Sequence, residues 1–443
     1  MQKNEIYDIE ITGLTSEGFG VGRVDGMAVF VPYAIPGEVC SVKIVKVNKS
    51  YAYGKMLEIK KASEDRCKPK CPVYYRCGGC GLAHMNYERE LEFKTDKVLQ
   101  LIRRTAGLDT PVEKCVGSPL VEGYRNKAQY PVGIKEGKVT AGFFAKRSHD
   151  LVPGVDCLIQ SELSRRVTAA VIEYMEKFGV EPYSEESGKG KIRHIYVRSG
   201  KSGALLTVVV NGRKLPMAEN LVEIVRESCP EVCGIIVNVN SKKTNVVLGD
   251  ECITIWGKDS LSDTLCNLEF EISPKSFYQV NHDQTEALYA KAKELADLSG
   301  EETVLDLYCG IGTISLFMAD SAKRVYGVEI VPDAIENAKR NAERNGITNA
   351  EFFVGDAKLA AAKITDADVV ITDPPRAGCD REVIDHILRI APKRIVYISC
   401  NPATLARDLK IFSENGYEPK TICPYDLFPR TEHVECCVLL CRR

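Results

Sequence analysis

TVLDLYCGIGTISLFMA, residues 303–319, reads as a short apolar strand, a Gly-rich turn at Cys309–Gly310–Ile311–Gly312 and an apolar-periodic helix. A strand that runs through a glycine turn straight into a helix is the opening of a βαβ unit, so this part of the chain is expected to hold a Rossmann-like parallel sheet. Working outward, the next strand, 324–328, ends in Glu329, a little over twenty residues beyond Asp306, where a carboxylate accepts hydrogen bonds from ribose hydroxyls. Strand 350–354 leads to Asp356, placed to meet an adenine amino group, and strand 368–372 leads to Asp373 and the stiff turn Pro374–Pro375–Arg376. A last Val/Ile/Tyr-rich strand ends at Ile398–Ser399–Cys400–Asn401–Pro402. Polar groups at successive strand ends face one crevice, and a cysteine among them points to covalent chemistry.

A dinucleotide fingerprint needs a third glycine after Gly312, and Thr313–Ile314–Ser315 supplies none. S-adenosyl-L-methionine has no phosphate to cradle, so a loop carrying Gly310 and Thr313 suffices for it. That cofactor, with Glu329 and Asp356 among its ligands, is the expectation.

With 443 residues the chain is too long for one ordinary core. No run of eighteen apolar residues and no secretory pattern at MQKNEIYDIEIT is found, so a cytoplasmic protein without a membrane span is expected. Eighteen cysteines in a reducing compartment are to be explained by metal, catalysis or burial rather than by disulfides, with most of them expected as buried packing residues. The net charge of −2 excludes nucleic-acid coating through bulk charge, yet residues 61–150 carry 17 Lys/Arg against 11 Asp/Glu.

Three domains are expected in this α/β multidomain chain. Residues 1–60 alternate apolar and polar in five short runs and predict a small five-stranded, OB-like β-barrel, with Tyr51, Tyr53, Lys46, Lys49 and Lys55 as residue types that bind single-stranded nucleic acid. Residues 61–270 read as a central mixed α/β domain with a cysteine-rich entrance. Residues 271–443 form the cofactor domain, entered through Ser276–Phe277–Tyr278–Gln279–Val280–Asn281 and a helix from His282 to about Leu298.

Cys71, Cys77 and Cys80 stand at C-x5-C-x2-C, with Gly78–Gly79 making the tight turn that lets thiolates converge. Structural zinc usually takes two C-x2-C knuckles and only one is present, which favours an iron–sulfur cluster with a remote fourth ligand. Cys67, Cys115 and Cys157 are the candidates for that ligand. The spacing departs from the radical S-adenosylmethionine signature.

The barrel, the C-x5-C-x2-C cluster and the motifs FYQVN, DLYCGIGT, DPPR, SCNP and HVE together resemble the bacterial 23S rRNA (uracil-5-)-methyltransferases of the RumA type, which carry an N-terminal TRAM domain. The resemblance covers nearly the whole chain and implies a class I S-adenosylmethionine-dependent methyltransferase domain and a [4Fe-4S] cluster whose fourth ligand is Cys157. It implies Cys400 as the nucleophile that adds to uracil C6 and Glu435 as the general base that removes the C5 proton. Gln279 and Asp373 then line the site, and Tyr308 and Glu329 hold the cofactor. A base inside folded RNA must be flipped out, which makes Phe277 a candidate wedge and Arg125 and Lys127 candidate phosphate contacts. 23S rRNA is the expected partner, because the T-loop tRNA enzymes typically lack barrel and cluster; no obligate protein partner is evident and a monomer is expected. The rivals are a tRNA T-loop uridine methyltransferase, a methyltransferase acting on an exocyclic nitrogen, and a non-catalytic RNA-binding assembly factor.

Overall fold

The computed structural model describes residues 1–355, 364 and 366–443. At the N-terminal side the strands Ile6–Glu10, Gly13–Leu14, Gly20–Val24, Met27–Val31, Val39–Val47 and Tyr51–Lys61 build one sheet. Six strands replace the expected five. The first apolar run breaks at Thr12, whose N–H donates to Val21 O at 2.8 Å, and Gly13–Leu14 then pairs with Gly20–Val21. Ile6–Glu10 also lies against Gly20–Val24, because Gly22 has no Cβ and any Cβ there would overlap Ile9 and the Glu10 carbonyl. Ile9, Ile11, Val29, Val31, Val42 and Ile44 fill the interior.

The central sheet has seven strands in the order Glu251–Gly257, Val232–Val239, Gly203–Val210, Ile192–Gly200, Lys127–Lys135, Lys138–Phe144, Leu151–Pro153. Every residue of Gly203–Val210 is buried, as an unbroken GALLTVVV run requires. The helices Glu162–Phe178 and Ala218–Ser228 add Val167, Val171, Leu221 and Val225 to its core.

After a hairpin, Leu261–Leu265 with Leu268–Ile272, comes the last sheet, ordered Ala350–Val354, Arg324–Glu329, Thr303–Leu307, Val369–Thr372, Arg394–Ser399, Glu435–Arg442, Tyr417–Tyr425. The first five strands are parallel, and Glu435–Arg442 is antiparallel to both of its neighbours. Side-chain alternation sends Val304, Ile371 and Val396 to one core, shared with Leu288, Ile314 and Ile335 of helices His282–Ala296, Thr313–Met318 and Pro332–Arg344. Leu305, Val370, Ile395 and Tyr397 go to the other, shared with helices Arg381–Ile390 and Pro402–Glu414. Val98 and Ile102, at the end of helix Tyr87–Leu101, join that second core. The helix after the cysteines thus packs on the last sheet, although the sequence alone groups it with the central segment.

This attachment is ionic as well as apolar. Lys94 Nζ donates to Glu90 Oε1 at 2.9 Å and Asp426 Oδ1 at 2.6 Å, with all three side chains fully buried. Removing one member of such a set leaves an uncompensated buried charge and costs about 3–5 kcal/mol. Among the described residues no helix is long and apolar enough to cross a membrane. Eight of the eighteen cysteines are buried, so packing accounts for fewer of them than the expected majority.

Candidate active site and cysteine cavity

The C-terminal ends of the parallel strands carry the first part of the site. Thr303–Leu307 runs into Tyr308 at φ +68°, Gly310 at +56° and Gly312 at +84°. A tyrosine in the left-handed region costs about 1–2 kcal/mol, and strain of this kind collects where a loop is shaped for a ligand. Gly312 must be small, since a Cβ would stand 3.0 Å from the Phe352 ring. The Gly310 N–H donates to Glu329 Oε2 at 3.3 Å and the Val331 N–H to Glu329 Oε1 at 3.0 Å, so Glu329 ties its own strand end to the glycine loop. Thr313 Oγ1 bonds Tyr289 Oη at 3.1 Å. Tyr308, Gly310, Thr313 and Glu329 are therefore brought together. Asp356 lies outside the described residues.

Beneath the loop Asp306 is fully buried, accepts from Ser315 Oγ, and leaves Oδ1 without a hydrogen-bond partner among the described residues. Burial, reinforced by the charges of Asp373 and Glu329, pushes its carboxyl up to about 7.

The second part forms around Cys400, half-buried just past Arg394–Ser399. Asn401 caps the following helix through Ala403 N at 3.1 Å, while its Nδ2 donates to Arg376 O at 3.0 Å, with Thr404 Oγ1 on the same carbonyl at 3.3 Å. Those bonds pin the Asp373–Arg376 turn to the Cys400 turn. Register supplies the partner: Ser399 pairs with Cys436, so one step further Cys400 stands beside Glu435. Glu435 is 2% exposed and its Oε2 has no partner among the described residues.

The electrostatics of these groups follow from this placement. Burial pushes the Cys400 thiol up to about 12, with Glu435 and Asp373 adding to the rise and Arg376 opposing it. Burial also holds the Glu435 carboxyl well above its ordinary range, again with Asp373 adding and Arg376 opposing. Asp373 is pushed up to about 7 by burial. One thiol, two carboxyls and one guanidinium thus lie close enough for their charges to act on one another.

Gln279 and Phe277 lie on the segment leading into helix His282–Ala296. The Gln279 carbonyl accepts from Asn126 Nδ2 at 2.8 Å, and its buried side chain bonds no other described residue. Phe277 is 64% exposed between buried Ser276 and Tyr278. Arg198 Nη2 donates to the Ser276 carbonyl and Asn337 Nδ2 to Ser276 Oγ at 3.3 Å, so the central sheet and the helix after Glu329 both hold the base of this protrusion.

Cys71, Cys77, Cys80 and Cys157 line one cavity of about 510 Å³, and Arg125 and Lys127, expected to face RNA, line the same cavity. Cys67 shares a neighbouring cavity with Cys71, Cys80 and Cys157. Cys115 is buried in the core of the last sheet. Burial pushes up the thiols of Cys80 and, to about 11, Cys157; charge at the neighbouring cysteines adds to both. No three His, Cys, Asp or Glu side chains among the described residues are grouped to hold a single metal ion. Lys127 is pushed down to about 8 by burial and by the nearby Arg198 and Arg125.

Sequence reasoning missed Arg376 as a site residue, although DPPR was quoted as a motif; a lone cation beside two carboxylates and a thiol was the available signal. It also missed Asp306, and the joining of Asp426 to the Glu90–Lys94 pair has no signal in one sequence, because Asp426 is 332 residues from Lys94.

A parallel sheet with this strand order, one antiparallel strand inserted next to the edge and a glycine loop after its central strand resembles the class I methyltransferase domain. Comparison with known proteins then fixes the family. The model of tRNA (Uracil-5-)-methyltransferase matches residues 86–443 and that of the TRAM domain residues 2–57. Uncharacterized RNA methyltransferases of Halalkalibacterium halodurans and Clostridium tetani are 45% and 46% identical over 99% of this chain and 98% and 97% of theirs. Among solved structures, Pyrococcus abyssi tRNA (uracil-54, C5)-methyltransferase in complex with S-adenosyl-L-homocysteine matches with a TM-score of 0.80 and 30% identity, over 98% of this chain and 100% of that one. The chain belongs to the RNA (uracil-5-)-methyltransferase family and has an N-terminal TRAM domain.

Proposed function

We propose that the protein methylates C5 of a uridine in RNA through a covalent enzyme–RNA adduct, with Cys400 as nucleophile and Glu435 as general base. The observation that carries this is the placement of Cys400 beside a buried Glu435, whose Oε2 has no partner among the described residues, at the end of two adjacent strands next to Asp373. Uracil C5 is too weak a nucleophile in its resting state. Cys400 gives up its thiol proton to solvent and adds as thiolate to C6, the electrons of the C5–C6 bond move toward C5 and the O4 carbonyl, and C5 becomes able to take a methyl group. Glu435 then removes the C5 proton, the C5–C6 double bond re-forms and Sγ leaves C6 as thiolate. A carboxyl raised above its ordinary range is, once ionised, a stronger base for that proton transfer, and Arg376 opposes the rise. Asp373 accepts from uracil N3–H, and Gln279, whose side chain bonds no other described residue, is free to read the base edge.

S-adenosyl-L-methionine, when bound, supplies the methyl group as an electrophile. Tyr308, Gly310, Thr313 and Glu329 would hold it with Asp356, and the strained Tyr308 loop and partnerless Asp306 Oδ1 fit a ligand at this strand end. A [4Fe-4S] cluster on Cys71, Cys77, Cys80 and Cys157 fits the cavity those thiols line; when bound it cross-links the cysteine loop to the segment carrying Cys157.

In the division proposed, residues 1–60 bind RNA, 61–270 carry the cluster and RNA contacts, and 271–443 do the chemistry, with helix Tyr87–Leu101 attached to the last. Phe277 fills the space a flipped base leaves. Arg125 contacts RNA phosphate at the rim of the cysteine cavity, and Lys127 sits deeper in it. A uridine of 23S rRNA is the substrate proposed. A tRNA T-loop uridine is the second reading, favoured by the match to a tRNA enzyme over 98% of this chain: a shared N-terminal domain removes that domain as grounds for choosing rRNA. Both readings take a monomer in the cytoplasm as the acting form.

Wild-type protein with 5-fluorouridine-substituted RNA should give an SDS-stable adduct that Cys400→Ser does not form. Absence of the adduct from active wild type would overturn the covalent reading and revive methyl transfer to nitrogen, while absence of all methyl transfer would favour an assembly factor. Mapping 5-methyluridine in rRNA and tRNA of a deletion strain decides the substrate.

A further inference from the structure

The segment between Tyr425 and Glu435 is held largely by the residues around and just after the cysteines, with Val116 O, Tyr124 Oη and Asn281 Nδ2 adding bonds to Asp426, Pro429 and Leu427. The Gly81 and Leu82 N–H groups, immediately past Cys80, both donate to Arg430 O, at 2.9 and 3.0 Å. Arg430 is in the left-handed region at φ +71°, its own N–H donates to Glu90 Oε1 at 2.7 Å, and its side chain lines a cavity with Cys71, Cys80 and Cys157. Glu90, Lys94 and Lys97 share one face of helix Tyr87–Leu101. Lys94 Nζ reaches Asp426 Oδ1 at 2.6 Å and Phe428 O at 3.3 Å, and Lys97 Nζ reaches Glu432 O at 2.7 Å. Val434, beside Glu435, packs in the same core as Val98. Every turn of that helix face therefore grips the chain that delivers Glu435, and the helix starts six residues after Cys80 at its Asn86 cap.

We propose that the cysteine loop and the Glu90–Lys94–Lys97 face form a latch that positions Glu435, so that the cysteine site serves the reaction through the base it holds and not by electron transfer. The inference rests on the covalent reading given above and adds that Lys94 and Glu90 are positioning residues. A displaced Glu435 leaves Cys400 addition and methyl transfer intact but slows removal of the C5 proton. The methylated adduct then cannot eliminate and accumulates on ordinary uridine RNA.

The test uses the full-length protein with unmodified 23S rRNA and tRNA transcripts, and Glu435→Gln as the reference for a stalled adduct. Lys94→Met and Glu90→Gln should lower kcat at least tenfold, leave KM for RNA within about twofold, and build up an SDS-stable complex containing the transferred methyl group. Wild type stripped of bound iron by a chelator should stall in the same way while still binding RNA. If Lys94→Met fails to fold, Arg430→Pro, which removes the positive φ and the N–H to Glu90, takes its place. The latch is overturned if folded variants raise KM with kcat unchanged, or lose activity without accumulating the adduct. Failure of wild type to trap 5-fluorouridine RNA would instead sink the covalent reading beneath it.

Discussion

The free enzyme should keep Cys400 protonated, and its alkylation rate reads this directly. A thiol at about 12 is ionised at pH 7.5 to roughly one part in 3×10⁴, against roughly one in ten for a free cysteine near 8.5. That is a deficit of about 3×10³ in thiolate. Intrinsic nucleophilicity rises with basicity, at about 0.45 log units per pKa unit, and returns a factor of about 40. Cys400 should therefore react about 10² times more slowly than an open thiol, and the exposed Cys252 in the same chain is the internal reference. Pulse alkylation with isotope-coded iodoacetamide, followed by mass spectrometry of the peptides bearing Cys400 and Cys252, measures both at once. The decisive quantity is the slope, since steric shielding lowers the rate equally at every pH whereas ionisation makes log rate climb with unit slope through pH 9.5. Glu435→Gln removes the largest charge opposing the thiolate and should speed alkylation at every pH in that range. A plateau below pH 9, or equal rates at the two cysteines, would refute the argument that burial and the neighbouring carboxylates hold the thiol protonated until RNA arrives.

Asp306 binds a proton more tightly in the folded state, at about 7, than in the unfolded chain, near 3.9. Its contribution to stability is thus full below pH 4 and is lost as pH rises to 7. Melting scans of Asp306→Asn against wild type should show a relative gain that grows over that window, to a ceiling of about 4 kcal/mol, and stays flat above it; a gain independent of pH would sink the assignment. Cys77→Ser should abolish visible charge-transfer absorption and bound iron, whereas a colourless wild type with stoichiometric zinc would show the cluster assignment to be wrong. Phe277→Ala should lower kcat/KM on folded RNA by about 5- to 100-fold, the worth of one stacked base. Equal activity of that variant on folded and unstructured RNA would rule out a wedge.

The last sheet was legible because its signals are local. A glycine turn between a strand and a helix, and acidic residues at strand ends, need no knowledge of tertiary packing, and the expected strand 350–354 is the observed Ala350–Val354. The Cys400–Glu435 pair was legible only through motif resemblance, since no local pattern announces that strand Glu435–Arg442 will insert beside Arg394–Ser399. The two-residue strand Gly13–Leu14 escaped notice because two residues carry no periodicity. Lys127 and Arg125 were read as RNA contacts from their place in a basic strand, and only the fold shows that both line the cysteine cavity. Helix Tyr87–Leu101 was grouped by sequence order, whereas its Val98 and the following Ile102 found their apolar surface on the last sheet.

The insertion of Glu435–Arg442 between two strands made earlier in the chain bears on biosynthesis. Until residue 442 has left the ribosome, Tyr417–Tyr425 lacks its antiparallel partner in the sheet, keeping only its bridges to Val112 and Val116, and the edge of Arg394–Ser399 stays open. A nascent chain can therefore fold its TRAM and central sheets before the sheet that carries Cys400 is closed. Cys400 gains its facing carboxylate only when translation of that last strand is finished, so complete turnover waits for nearly the whole chain.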